Sequence, residues 1–279
     1  MPAADFRSLR DQHVFITGGS SGIGLALARQ VAAAGARVSL VARDAGKLAA
    51  AQTEIRVAHP GAAVGVFAGD VAVQAEIMAA LAEAEALHGP VDVLITSAGI
   101  ARPGYFEEVP VEVFERTMAV NFFGTLYPLK AVVPAMRRRG RGAVVLISSG
   151  AGLYGFFGYT PYSPSKFALR GLAESLRAEL AGSGVRIVIV YPPDTDTPQL
   201  AEENRTKPVE TKAITAGGGL WTADAVARAT LEGLARGRFS VTPGFQLTAL
   251  AWLHSVLAPV LNWTFDRTAR RARAKGAGK

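Results

Sequence analysis

Short apolar runs alternate with longer stretches in which apolar residues recur every three or four positions, and the alternation carries through most of the chain. The runs His13 to Thr17, Arg37 to Ala42, Ala63 to Ala68, Val91 to Thr96, Gly142 to Ser148 and Val185 to Tyr191 predict strands. They are continuously apolar, as strands covered on both faces are, whereas a strand with one wet face alternates. Helical spacing fills Gly22 to Ala34, Ala45 to Ala58, Gln74 to Leu87, Val111 to Arg138, Ser163 to Ala181 and Ala223 to Ala235. Strands and helices in this order predict an α/β fold, a Rossmann-like doubly wound parallel sheet in a single domain over residues 1–242. The pattern lapses twice. Residues 194–220 are largely polar and run into Gly217-Gly218-Gly219, which predicts a long loop of the kind that closes over a substrate. Residues 243–279 form an apolar C-terminal extension that ends in a basic tail.

Composition narrows the chemistry. Apolar residues make up 49% of the 279 positions, enough for a substantial core. Cysteine is absent, and His13, His59, His88 and His254 have no ligand spacing, so disulfides are excluded and no metal site is expected. Met1 to Gln12 has no apolar stretch of signal-peptide length, which points to a cytoplasmic location. The net charge of +7 lies mostly in Arg267, Arg270, Arg271, Arg273, Lys275 and Lys279, set against Asp266. Before them, Phe239 to Phe265 carries no formal charge and includes Trp252 and Trp263. An apolar segment beside a basic tail suits peripheral contact with a membrane surface. Ordinary core, a dimer interface and the wall of a lipid-shaped pocket are the competing readings. Pro259 predicts a break or kink in any helix there, and the polar interruptions favour an interfacial or re-entrant segment over a span. No recognition fold or aromatic platform accompanies the tail, so nucleic acid is not an expected partner.

Thr17-Gly18-Gly19-Ser20-Ser21-Gly22-Ile23-Gly24 joins the first predicted strand to the first helix, so backbone amides and a positive helix end face one point. That arrangement favours a pyrophosphate. Gly18 permits the tight turn, Gly22 the close approach of a cofactor, and Gly24 close helix–strand packing. After the second strand, Arg43 and Lys47 could grip a ribose 2′-phosphate, which favours NADPH over NADH. Asp44 could cap the next helix or bind a ribose hydroxyl. Asp70 and Val71 follow the third strand, and Ala98 and Gly99 the fourth, where adenine and ribose would rest. Tyr162 and Lys166 stand one helical turn apart, thirteen residues beyond Ser149. A tyrosine exchanges protons poorly at neutral pH unless a positive charge favours the phenolate, and Lys166 is placed to supply one. Ser149 can bond a carbonyl oxygen. Asn121 interrupts an apolar helical pattern, either to bind a buried water through its amide or as a satisfied residue that kinks the helix.

Together, Thr-Gly-x-x-x-Gly-x-Gly, Asn121 in Met-Ala-Val-Asn, Ser149 and Tyr162-x-x-x-Lys166 resemble the short-chain dehydrogenase/reductase family over most of the chain. The resemblance implies that Tyr162 is the general acid/base and that Lys166 binds the nicotinamide ribose and lowers the tyrosine pKa. It further implies that Ser149 orients substrate and Asn121 holds a water in a proton relay. Ser20, Ser21, Ile23, Pro192 and Thr195 are then cofactor contacts, Thr197 meets the nicotinamide carboxamide, and the chain forms a homo-oligomer. Three departures stand out. Thr96-Ser97-Ala98-Gly99 replaces the usual Asn-Asn-Ala-Gly, so Thr96 or Ser97 is expected to do the asparagine's bonding. Pro164 lies between Tyr162 and Lys166, where a first helical turn tolerates it, and Pro192-Pro193 replaces Pro-Gly.

Tyr191-Pro-Pro-Asp-Thr-Asp-Thr-Pro198 and Glu202-Glu-Asn-Arg-Thr-Lys-Pro208 resemble the branch of that family which reduces the 3-keto group of 3-ketodihydrosphingosine with NADPH. This implies a small-molecule lipid substrate. Asp194, Asp196, Glu202 and Glu203 could attract its ammonium or be solvated loop charges. Reduction of another hydrophobic ketone of acyl, retinoid or steroid type is an alternative, as is a non-catalytic dinucleotide-binding regulatory protein.

Overall fold

The computed structural model describes residues 8–216 and 219–276. Met1 to Arg7, Gly217, Gly218 and Lys279 lie outside the described residues, as do the side chains of His254 and Lys275. The strands are β1 (His13–Thr17), β2 (Arg37–Ala42), β3 (Val64–Ala68), β4 (Val93–Thr96), β5 (Gly142–Ile147), β6 (Val185–Val190), β7 (Thr195–Asp196), β8 (Trp221–Thr222) and β9 (Ser240–Val241). The helices are α1 (Gly22–Ala33), α2 (Ala45–Ala58), α3 (Gln74–His88), α4 (Val111–Met118), α5 (Gly124–Arg139), α6 (Tyr162–Glu179), α7 (Pro198–Thr206), α8 (Val209–Thr215), α9 (Ala223–Ala235) and α10 (Phe245–Gly276).

Seven strands form one parallel sheet in the order β3-β2-β1-β4-β5-β6-β9, and β7 pairs with β8 beside it. Strand order reverses between β1 and β4, so the helices that follow them leave on opposite faces and open a crevice at the strand carboxyl ends. β1 shows why the sheet is buried on both sides. Val14 and Ile16 join one core layer with Leu27 and Val31 of α1, while Phe15 joins the other with Ile77 and Leu81 of α3. Burying each such side chain contributes about 1.5–3 kcal/mol, which holds the β1 end rigid where the glycine loop begins.

His13 opens β1 fully buried, with Nδ1 2.6 Å from the Gly89 carbonyl and Nε2 2.8 Å from the Ser39 hydroxyl. A carbonyl only accepts, so Nδ1 carries the proton and Ser39 donates to Nε2. Burial, opposed by the Gly89 bond, lowers its pKa from 6.5 to about 4. Below pH 6.5 the unfolded chain takes up a proton that the fold refuses, so His13 makes stability fall as the pH drops, until the folded state also protonates near pH 4. Across that window its contribution reaches about 3 kcal/mol. Urea unfolding of wild type and His13→Asn at pH 7 and pH 4.5 checks this. The wild type loses more stability on acidification than the variant, and equal losses would show that His13 is not responsible.

Four expectations change. Residues 194–220 are not a long loop but carry β7, α7 and α8, with β8 directly after them. Thr197 caps α7 by accepting from the Leu200 amide at 3.2 Å, and Pro198 starts it. The polar composition concealed the helix because Glu203 is its one buried residue. The single helix predicted from Val111 to Arg138 is interrupted by a π-helical turn, Ala119–Phe123, around Asn121. α10 runs through Pro259, which is exposed, so water can solvate the carbonyl that loses its amide partner. β9 has two residues and was too short to leave a pattern. Among the described residues no helix is long and apolar enough to cross a membrane.

Candidate active site

The crevice holds a cavity of about 430 Å³ that runs from the glycine loop past Ser149 and Tyr162 to Leu247 of α10. The glycine loop forms because side chains have no room in it. Gly18 has φ +70°, and a Cβ there would lie 2.7 Å from the Ala98 amide nitrogen. The Thr17 hydroxyl accepts from that same amide at 3.3 Å. Thr17 therefore anchors the loop after β4, in place of Thr96 or Ser97: the Thr96 hydroxyl is buried without a hydrogen-bond partner, and Ser97 lines the cavity. Ser20, Ser21, Gly22 and Ile23 also line it, and Thr197 abuts Gly22 from the opposite wall.

Arg43 and Lys47 are exposed on the cavity rim at the end of β2. Asp44 is the cap of α2, accepting from the Lys47 amide at 3.0 Å, as one of its two sequence readings had it, and it also lines the cavity. Asp70 accepts from Arg116 at 2.6 Å and from the Ala72 amide at 2.9 Å. Burial alone would raise its pKa, but these bonds outweigh it and hold the carboxyl below its ordinary range. Val71 and Gly99 line the same wall, as do Pro192 and Thr195, whose hydroxyl donates to the Pro193 carbonyl at 2.8 Å.

β5 delivers Ser149, whose Oγ accepts from the Ala151 amide at 3.1 Å. α6 starts at Tyr162 with Pro164 inside its first turn, where no amide partner is lost, so the Tyr162–Lys166 spacing survives. Lys166 is 4% exposed, lies 5.4 Å from the centre of the Tyr162 ring and donates to the Ile147 carbonyl at 3.1 Å. Burial lowers its pKa to about 8 against the opposing pull of Glu203. Tyr162 departs from expectation. Bonds from Ser149 and Gln199 favour the phenolate, but burial first, and the Glu203 charge second, push the phenol above its ordinary value. With its ammonium bonded to Ile147, Lys166 does not reverse this, and Tyr162 stands as a neutral acid.

Asn121 Oδ1 accepts from the Ile100 amide at 2.9 Å, and its Nδ2 donates to the Ile100 carbonyl at 3.0 Å and to Ser165 Oγ at 2.9 Å. Both amide protons are engaged, as in the reading of a satisfied residue that distorts the helix, and the side chain ties the π turn to the loop after β4 and to α6.

Several lining residues, Gln199 among them, were not singled out from sequence, whereas Glu203 was, as one of four acids that could attract an ammonium. Gln199 and Glu203, four apart on α7, face the cavity together, and Gln199 Nε2 donates to Glu203 Oε1 at 2.9 Å. The Tyr159 hydroxyl donates to Glu203 Oε2 at 2.6 Å. Their spacing was a usable signal once residues 198–206 were read as a helix. The outer wall comes from Phe156, Ile214 and Leu247. α10 is held over it by Phe265 against Tyr154 and Phe156, with ring centres 5.3 and 5.7 Å away, and by Arg273 bonded to buried Glu210 at 2.7 Å.

Comparison with known proteins agrees with this geometry. The family described as short chain dehydrogenase matches residues 12–208. A 3-dehydrosphinganine reductase of Danio rerio is 42% identical over 248 residues, which cover 87% of this chain and 75% of that protein. A 3-ketodihydrosphingosine reductase of Bos taurus is 41% identical, covering 91% and 77%. Among solved structures, a short-chain dehydrogenase/reductase from Burkholderia phymatum in complex with NAD superposes with a TM-score of 0.81 at 26% identity, covering 91% of this chain and 96% of that one. Levodione reductase does so with 0.79 at 26% identity, covering 86% and 99%.

Proposed function

Because the chain belongs to the short-chain dehydrogenase family and is an oxidoreductase of it, we propose that it reduces the 3-keto group of 3-ketodihydrosphingosine to dihydrosphingosine with NADPH. The observation that carries this reading is that Ser149 and Tyr162 share one cavity with the glycine loop on one side and an apolar wall of Phe156, Ile214 and Leu247 on the other. A nicotinamide dinucleotide fits the first side, where glycines leave room for a pyrophosphate. A long-chain ketone fits the second. The similarity to reductases of this substrate supports the same assignment.

When bound, the dihydronicotinamide supplies hydride to the ketone carbon. Tyr162, held neutral, gives its proton to the carbonyl oxygen. Ser149, oriented by the Ala151 amide, turns its one proton from Tyr162 to the same oxygen as negative charge develops there. Lys166 stabilises the phenolate left behind, and Asn121 fixes the backbone of Ile100 beside it. At the other end, Arg43 and Lys47 on the cavity rim support NADPH, as cations able to meet a 2′-phosphate. On α10, Trp252, Val256, Val260 and Trp263 are exposed close to Arg267, Arg270 and Arg271. That pairing supports peripheral contact with an anionic lipid surface, from which the substrate's chain would be drawn.

The test is NADPH oxidation by the purified protein with 3-ketodihydrosphingosine, the product being identified by mass. Dihydrosphingosine supports the assignment, and turnover only of other apolar ketones overturns it. In the same assay Arg43→Glu raises KM for NADPH roughly 10- to 100-fold, the worth of a charge-assisted phosphate contact, while KM for NADH does not rise. Equal effects on both cofactors would remove Arg43 from 2′-phosphate recognition.

A further inference from the structure

The structure separates the four acids of the substrate region. Asp196 and Glu202 are exposed, and Glu202 pairs with Arg205 at 2.8 Å. Asp194 lines the cavity but faces Lys207 at 3.4 Å. Glu203 differs from all three. It is 6% exposed and lines the cavity, yet among the described residues no cation lies within ion-pair distance of it. Its two oxygens are held by neutral donors, Tyr159 and Gln199. A carboxylate removed from water needs a counter-charge, and neutral hydrogen bonds orient it without supplying one. Its neighbours do not resolve this: Lys207 is paired with Asp194 and sits 5.8 Å over the Tyr159 ring, and Lys166 donates to Ile147.

The position of this charge matters. Gln199 donates to Glu203, and Tyr162, Gln199 and Glu203 line one cavity, so the carboxylate shares that cavity with the atom that exchanges a proton with substrate. A cation carried on the carbon next to the reacting carbonyl would enter the same cavity. We propose that Glu203 is a specificity-determining residue that receives the ammonium of an α-amino ketone, with Tyr159 and Gln199 as the residues that position it. This rests on the reading of the protein as a ketone reductase and deepens it. It also accounts for an otherwise unfavourable arrangement. An anion without an ion-pair partner near Tyr162 opposes its ionisation, and a substrate bringing its own positive charge relieves that opposition as the proton leaves.

The experiment compares kcat/KM for 3-ketodihydrosphingosine with that for its N-acetyl derivative and for the deamino ketone of equal length, in wild type and Glu203→Gln. Wild type prefers the free amine, and the variant lowers that preference roughly 10- to 100-fold, the worth of a hydrogen-bonded charge pair. An unchanged preference overturns the proposal. So does an equal loss on all three substrates, which would mark Glu203 as structural. Should the variant fail to fold by circular dichroism, Tyr159→Phe keeps the charge but removes one positioning bond, and it must lower the same ratio by a smaller factor. If wild type turns over none of the three, the ketone assignment itself fails, an outcome distinct from a variant that keeps the amine preference.

Discussion

Tyr162→Phe lowers kcat about 1,000-fold and leaves NADPH affinity within a few-fold of wild type. The phenol hydroxyl is the neutral acid of the site, and losing a positioned general acid costs 10²–10⁴ in rate, or about 4 kcal/mol for the middle of that range. The ring itself stays. It packs 5.6 Å from Tyr159 and beneath the Lys166 ammonium, contacts that phenylalanine reproduces, so the cavity keeps its shape. Steady-state turnover with 3-ketodihydrosphingosine gives kcat, and quenching of protein fluorescence by NADPH gives the affinity. A kcat within tenfold of wild type would transfer the acid role elsewhere. A parallel collapse of NADPH binding would mean that the hydroxyl organises the cofactor site instead of the proton.

The second large effect lies where no chemistry occurs. Gly24→Ala destroys cofactor binding and destabilises the fold. A Cβ at Gly24 would stand 2.2 Å from the Gly18 carbonyl oxygen and 2.8 Å from its carbon, both backbone atoms that no rotamer change can move. The glycine loop must shift, and Gly18 cannot shift freely because Ala98 crowds it from β4. Overpacking of this kind costs about 1–3 kcal/mol, and NADPH affinity falls at least roughly 100-fold as the phosphate-facing amides lose their alignment. Gly171→Ala is the matched control. It sits exposed within α6 with nothing within 4 Å of its added methyl, so it stabilises by up to about 1 kcal/mol. Urea unfolding of the two variants should move in opposite directions. Indistinguishable midpoints would show that the loop has slack that the contact distances deny.

The parts of this protein that could be read from its sequence are those whose signal is local. β1, β2, α2 and α9 fall where periodicity placed them, because a strand buried on both faces and a helix with an apolar stripe each write their burial directly into residue order. The Gly18–Gly24 loop and the Tyr162–Lys166 turn were likewise legible, since each demands particular residues at fixed spacing. What was illegible depends on partners distant in the chain. α7 is nearly all polar, and Gln199, together with what sets Glu203 apart from the other three acids, acquires meaning only when Tyr159 and Tyr162 are brought beside them. Asn121 stood between a water site and a satisfied structural residue because nothing near it in sequence indicates that Ile100, 21 residues away, would take both its oxygen and one of its protons. The rise in the Tyr162 pKa follows from the same cause: Lys166 was visible at i+4, whereas the burial of the phenol, the larger effect, and the approach of Glu203 both arise from chain-distant packing.

Leu247, Phe265 and Arg273 all belong to α10, whereas the groups that move the proton lie on β5 and α6. Part of the apolar wall is thus written in a stretch of the gene apart from the groups that move the proton, although Phe156 lies between them. Change in α10 can proceed without touching Ser149 or Tyr162, and for a protein engineer the carboxyl terminus is a place to alter the wall and the wrong place to append a tag.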